Sequence, residues 1–148
     1  MENENIIKEL VGKRREIVDY RVTNGTLKAL KEALKEATKD NIFLSGTDKI
    51  KKLFEEDITD FVIGFKKTTS IYEIPAEDSD EGCKTNSEGK LVKEIEEYTY
   101  DIEYVSVDYQ HREFYEMDLT THDYRHLVEP FLRAINKIGG IEAMECID

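Results

Sequence analysis

Residues 94–119 have the sequence EIEEYTYDIEYVSVDYQHREFYEMDL, and this stretch decides what kind of fold the chain can form. It contains five of the eight tyrosines and many β-branched residues, which favour strands over helices. It also contains nine acidic residues and one basic residue, Arg112. A strand-forming segment with this much negative charge predicts a sheet with an acidic outward face.

The alternation of apolar residues changes phase inside this stretch. Up to Tyr104 the even-numbered positions are apolar, and from Val105 onwards the odd-numbered positions are, which predicts a β-bulge between them. A turn at residues 110–112 would pair this strand with the next one. The expected partners are Tyr109 with Glu113, Val107 with Tyr115, and Val105 with Met117. The same spacing predicts that most of the tyrosines face inward.

Five carboxylates and one aromatic ring then share the outward face. They are Asp101, Glu103, Asp108, Phe114, Glu116 and Asp118. Like charges on adjacent strands destabilise a sheet, so this face is not arranged for stability alone. One interpretation is a solvated surface that keeps the hairpin soluble. The other is a docking surface for a positively charged protein, with Phe114 as its apolar anchor.

The net charge of -12 is concentrated in the second half of the chain. Residues 1–72 contain 14 basic and 13 acidic residues, whereas residues 73–148 contain 7 basic and 20 acidic residues. This balance argues against direct binding of nucleic acid or an anionic membrane, because phosphates would be repelled. It favours a basic protein surface as partner, such as that of a nucleic-acid-binding protein.

Length and motifs indicate one cytoplasmic domain over residues 1–148. The first residues lack the pattern of a signal peptide, and no apolar run is long enough to span a membrane. Cys83 and Cys146 have no metal-ligand spacing and are expected to remain thiols. No phosphate-binding loop or nucleophile motif is present, so we expect no cofactor and favour a binding protein over an enzyme.

Residues 1–57 are predicted to be mainly helical and near-neutral. A short helix is expected within residues 2–14, ending near Gly12, and a strand over residues 16–22. The next helix is expected to be capped by Thr26 and to have Leu27, Leu30, Leu34 and Ala37 on one face. A short strand over residues 41–44 and a short helix over residues 47–57 follow, the latter with Thr47 as its cap and Ile50, Leu53 and Phe54 as its anchors.

Residues 58–119 are predicted to form an antiparallel meander, and residues 120–140 a C-terminal helix. The expected strands are 58–65, 70–74, 93–109 and 113–119. The acidic connection 75–90 is expected to be a mobile loop or the tip of a long hairpin. Pro130 is expected to kink or restart the final helix. The fold class is therefore α+β, with the antiparallel meander packed against N-terminal helices and a C-terminal helix.

A second hypothesis of a different class is a small enzyme or ligand-binding domain with a pocket between the sheet and the C-terminal helix. In a continuous helix, His122, His126 and Glu129 would share one stripe and could hold a metal. The same helical wheel places these histidines towards solvent, so no metal site is the favoured interpretation. A third hypothesis is a homo-oligomer in which the near-neutral half of one copy meets the acidic half of another.

Overall fold

The computed structural model describes residues 8–39 and 48–147. Within these ranges, six strands form one antiparallel sheet that is accompanied by two longer helices. The elements are β1 (Glu9–Arg21), α1 (Asn24–Thr38), α2 (Asp48–Lys51), β2 (Ile58–Pro75), β3 (Lys84–Thr85), β4 (Leu91–Tyr109), β5 (Tyr115–Asp118), α3 (Val128–Lys137) and β6 (Glu145–Cys146). The predicted α+β class, with an antiparallel sheet and a C-terminal helix, is confirmed.

The chain divides into two compact units, and the three long strands β1, β2 and β4 each enter both. The helical unit comprises residues 17–66 and 101–148 and contains all the helices. The sheet unit comprises residues 1–16 and 67–100. The expectation of one domain over residues 1–148 stays a prediction.

The hydrophobic core of the helical unit lies between the sheet and the pair α1 and α3. The strands follow the order β6, β1, β2, β4, β5, and the two helices pack against each other. The buried core includes Val18, Leu27, Leu30, Leu34, Phe61, Ile63, Phe65, Val105, Val107, Met117, Phe131 and Ile135. Three of the four residues predicted for the α1 stripe, Leu27, Leu30 and Leu34, are buried, whereas Ala37 is half-buried. The helix begins at Asn24, and Thr23, not Thr26, occupies the N-cap position.

The predicted helix ending near Gly12 is wrong, because β1 already begins at Glu9. A short helix depends on burying its apolar stripe. Leu10 and Val11 are 51% and 46% exposed, so they supply no such burial, whereas the extended chain gains backbone hydrogen bonds in the sheet. The strand expected over residues 41–44 and the Thr47 cap lie outside the described residues.

The two strands predicted over residues 58–65 and 70–74 are one strand, β2. The intervening Lys66–Lys67–Thr68–Thr69 is polar, but it contains none of the glycine, proline, asparagine or aspartate residues that favour a turn. Threonine is a good strand former, and Thr68 and Thr69 are both buried in the sheet. Polarity alone therefore did not mark a break in the strand.

The connection 75–90 contains a short hairpin rather than an unstructured loop. In the sheet unit, Lys84 pairs with Val92 and Thr85 with Leu91, both antiparallel. The Lys84 ammonium also lies 2.6 Å from Glu94 and 3.4 Å from Glu73. This matches the alternative of a hairpin tip, and the mobility expected for residues 75–90 stays a prediction.

The final helix is shorter than the predicted range of residues 120–140. A 3₁₀ turn at Arg125–Leu127 precedes α3, which begins at Val128. Pro130 lies in the first turn of α3, where its missing N–H removes no intrahelical hydrogen bond. Gly139 and Gly140 follow the helix with positive φ angles and end it as expected. None of the helices in the described part of the chain is long and apolar enough to cross a membrane.

The predicted register of β4 and β5 is confirmed. Val105 pairs with Met117 and Val107 with Tyr115, whereas Glu113 precedes β5 and forms no pair with Tyr109. The change of phase is visible in burial, since Ile102 and Val105 are both buried. The inward placement of the tyrosines is mostly wrong: of the five in residues 94–119, Tyr109 alone is buried and Tyr98 is 48% exposed.

Tyr104 lies on the face opposite to Val105 and crosses the neighbouring strand. Its ring covers Gly64 of β2, and a Cβ at residue 64 would lie 1.9 Å from its Cε1 atom. Its hydroxyl donates a hydrogen bond of 2.5 Å to Asp19 on β1. One side chain thus connects three strands, and only glycine leaves room for it at residue 64.

We predict that Gly64→Ala lowers the free energy of unfolding by about 1–3 kcal/mol, because the added methyl group displaces the Tyr104 ring. Gly25→Ala is the matched control, since a Cβ at that position of α1 meets no atom within 4 Å. Urea unfolding followed by circular dichroism measures both variants. Equal stability of the Gly64→Ala variant and the parent would show that the ring does not occupy this position.

Candidate functional site

The six predicted binding residues lie on β4, on β5 and in the turn between them, all within the helical unit. We call this set the acidic face: Asp101, Glu103, Asp108, Phe114, Glu116 and Asp118. Glu103 is half-buried and the other five are exposed. The alternation of the sequence therefore predicted the exposure of five of these six side chains correctly, and their role in binding stays a prediction.

The outward direction of the acidic face follows from the residues between its members. Val105, Val107 and Met117 are fully buried, so their neighbours along the strands point to the opposite side of the sheet. Ser106 pairs with Glu116 in register, which places a small residue opposite a carboxylate. Phe114 lies just before β5 and is 64% exposed. An aromatic ring is thus presented to solvent beside uncovered carboxylates.

The charges of the acidic face are not neutralised by the nearest basic residue. Arg112 is the one basic residue in residues 94–119, and its guanidinium lies 3.4 Å from Glu55 and 3.3 Å from Asp57. Among the described residues, Asp101, Asp108 and Glu116 form no ion pair. The face therefore keeps its negative potential, which can attract a basic surface over a Debye length.

Asp118 differs from the other carboxylates because it stabilises a turn. Its Oδ1 atom accepts hydrogen bonds from the backbone N–H of Thr120 at 3.0 Å and from the Thr120 hydroxyl at 2.5 Å. These bonds favour the charged form and lower the pKa of Asp118 below its usual value. Asp118 thus has a structural role that sequence spacing did not reveal.

Tyr104 and Asp19 belong to the same outward face and were not predicted there. Burial raises the pKa of Tyr104, and its hydrogen bond to Asp19 and the negative charges of Asp19 and Glu116 raise it further. The phenol therefore stays protonated and donates a hydrogen bond to the Asp19 carboxylate. An isolated glycine inside a strand, Gly64, was the available sign that a side chain approaches closely here.

The β1 side of this face, unlike the β4 and β5 side, has a basic residue paired with carboxylates. The Arg21 Nε atom lies 2.8 Å from Asp60, and another nitrogen of the same guanidinium lies 3.7 Å from Glu145. Arg21 therefore offsets part of the negative charge on β2 and β6. Among the described residues, Asp101, Asp108 and Glu116 have no such ion pair.

The structure does not assemble His122, His126 and Glu129 into a metal site. His122 lies in a turn and His126 in the 3₁₀ turn, so the helical spacing assumed for them does not apply. The Glu129 carboxylate pairs with Arg133 at 2.5 Å. In the part of the chain that the structure describes, no group of three or more His, Cys, Asp or Glu side chains could hold a metal ion.

Two open clefts border α1 in the helical unit. One, of about 480 Å³, is lined by Gly25, Ala29, Ala33 and Ile138 among others. The other, of about 570 Å³, includes three lysines of α1 and Phe54. Within it, Lys31 donates to the carbonyl oxygen of Glu55 at 2.8 Å. Neither lining contains a histidine or a cysteine, and the titratable residues of both are glutamate and lysine.

Comparison of this chain with protein families, with curated proteins and with solved structures finds no match. The functional argument therefore rests on the chemistry of the surfaces described above, of which the acidic face is the most distinctive.

We predict that Asp118→Ala lowers the melting temperature at pH 7, because the turn loses two hydrogen bonds. The pKa of Asp118 is lowered in the folded state, so its stabilisation is present above about pH 4, the unfolded value, and disappears as the pH falls through the folded value. The difference from the parent should therefore shrink at about pH 2. Calorimetric scans across this pH range measure it.

Asp108→Ala is the control for this experiment, because its exposed carboxylate forms no ion pair among the described residues. It should leave the melting temperature close to that of the parent at both pH values. The interpretation of Asp118 as a turn residue is wrong if the two variants behave alike.

Proposed function

We propose that this protein is a small binding module, of the inhibitor, immunity or adaptor type, that docks its acidic C-terminal half on a basic surface of a partner protein. The observation that carries the proposal is an exposed Phe114 among carboxylates whose neighbouring cation, Arg112, is already held by Glu55 and Asp57. A surface of this composition has an apolar anchor and a charged surround.

The exposed ring argues against solubility as the only role of the acidic face. Carboxylates alone are sufficient to keep a sheet surface hydrated. A phenylalanine that is 64% exposed works against that purpose, because its apolar surface promotes association. The combination is understandable if the ring becomes buried against a partner while the carboxylates meet lysine and arginine side chains.

The strand register also suits binding of a basic partner. Glu116 lies opposite Ser106 and Asp118 opposite Tyr104, so these carboxylates do not face one another and remain open to an approaching lysine or arginine. The negative potential of the acidic face extends over about a Debye length. It accelerates the encounter with a basic partner and repels acidic proteins. Proteins that bind nucleic acid display dense arrays of lysine and arginine, and their surfaces are therefore the class of partner that fits best.

The proposal places the protein in the cytoplasm. Cys83 and Cys146 form no disulfide in the described part of the chain, and Cys146 is exposed. Free exposed thiols persist in a reducing compartment.

Affinity capture from a lysate of the source cells tests the proposal. The bait is either the parent or a face variant carrying Asp101→Lys, Asp108→Lys and Glu116→Lys, which spares Asp118. The control variant carries Asp78→Lys, Glu81→Lys and Glu142→Lys, all at exposed positions, and has the same net charge as the face variant. We expect a basic protein that the parent and the control retain and the face variant loses, as measured by quantitative mass spectrometry.

A second comparison isolates the aromatic anchor. Phe114→Ala should raise the dissociation rate of the captured protein, whereas Leu132→Ala, at a less exposed apolar residue of α3, should not. Retention of the same proteins by the parent and the face variant would show that the acidic face is not the docking surface, and the proposal would then fail.

A further inference from the structure

Among the described residues, no strand pairs with the outer edge of β1 over residues 9–16. On that side of the sheet, β1 is followed only by β6, whose two residues pair with Tyr20 and Arg21. In the described part of the chain, no strand lies beside the edge of residues 9–16. Every residue in this range is exposed except Gly12, which is half-buried. We call residues 9–16 the β1 edge.

An unpaired edge offers backbone N–H and C=O groups to another strand. The β1 edge is eight residues long and contains no proline, and it exposes Leu10 and Val11. After Gly12 come Lys13, Arg14 and Arg15, and among the described residues none of these three forms an ion pair. Glu9 and Glu16 lie at the two ends of the edge, so its net charge is +1 and its positive charge is at residues 13–15. Basic residues on an edge protect it against strands of the same charge, but they attract a strand of opposite charge.

A second copy of this chain does not fit the β1 edge well. Antiparallel pairing of two β1 edges brings their Lys13–Arg15 runs close together, and like charges on adjacent strands repel. Residues 91–100 of β4 in another copy are also a poor partner, because two of their three carboxylates, Glu94 and Glu97, are already paired with lysines. Glu94 lies 2.6 Å from the Lys84 ammonium, and Glu97 lies 2.6 Å from the Lys8 ammonium.

We propose that the β1 edge binds an extended acidic segment of another protein as an additional strand of the sheet. Backbone hydrogen bonds would supply affinity that is independent of sequence. Because side chains alternate between faces, Lys13 and Arg15 would contact carboxylates on one side of the added strand, and Arg14 on the other. The chain would then have two docking surfaces of opposite charge, as an adaptor requires.

This inference is independent of the function proposed above. The β1 edge belongs to the sheet unit and the acidic face to the helical unit. If the β1 edge binds no acidic strand, the proposal for the acidic face is unaffected, and the reverse also holds.

The test uses ¹⁵N-labelled full-length protein and four synthetic peptides. The first alternates valine and glutamate over eight residues, and the second alternates valine and lysine. The third and fourth are the glutamate peptide with methyl groups on alternate backbone nitrogens, one peptide for each register. Binding of the glutamate peptide should perturb the amides of residues 9–16 and slow their hydrogen exchange. The lysine peptide and at least one methylated register should bind about tenfold more weakly or not at all.

Matched variants identify the charges involved. The double variant Lys13→Glu, Arg15→Glu should bind the glutamate peptide with an affinity at least about tenfold lower than that of the parent. Lys28→Glu with Lys51→Glu makes the same change of net charge at exposed positions away from the edge and should leave the affinity within about twofold. Circular dichroism confirms that each variant remains folded.

Three results would overturn the inference. Perturbation of the α1 lysines instead of residues 9–16 would place the peptide elsewhere. Binding of both methylated registers as tight as that of the unmethylated glutamate peptide would show a contact without strand addition. Light scattering that shows a dimer, which the glutamate peptide fails to dissociate, would assign the β1 edge to a second copy.

Discussion

The change of phase in β4 is the constraint on which the acidic face depends. Ile102 and Val105 are both buried although they are three residues apart, and in a regular strand such residues would point to opposite faces. The inward side of β4 therefore passes from the even-numbered Ile102 to the odd-numbered residues from Val105 onwards. After this change, Val105 and Val107 pack beneath the helices and the even-numbered residues point outward. Tyr104 is the first of these, and it can lie flat across β2 only because residue 64 is glycine. Its bond to Asp19 then connects β4 to β1 on the outward side.

The distribution of charge on this side of the sheet follows from which carboxylates have a basic neighbour. Arg21 compensates Asp60 and Glu145, and Arg112 is held by Glu55 and Asp57 at the end of the β4–β5 hairpin. On β5, Glu116 lies opposite Ser106 and Asp118 opposite Tyr104, and Asp101, Asp108 and Glu116 form no ion pair among the described residues. These unpaired carboxylates and the exposed Phe114 are the basis of the proposal that this surface docks on a basic partner.

Features set by local periodicity could be predicted from the sequence, and features set by distant contacts could not. The alternation of apolar residues with a period of two, together with a short turn, was sufficient to predict the pairing of Val105 with Met117 and the exposure of Glu116. The direction of Tyr104 depends on Gly64, forty residues earlier, and the engagement of Arg112 depends on Glu55. The extended conformation near Gly12 likewise comes from sheet pairing, because the local spacing indicated a helix instead.

The most direct test of the central claim is the association rate of the protein with its captured partner, measured by stopped flow from roughly 0.01 to 0.15 M salt. The parent and the variant with lysine at residues 101, 108 and 116 are compared. If the acidic face guides docking, the rate for the parent falls steeply with added salt, and the variant loses both the fast association and the salt dependence while its melting temperature is retained. Identical salt dependence for the two proteins would contradict the account.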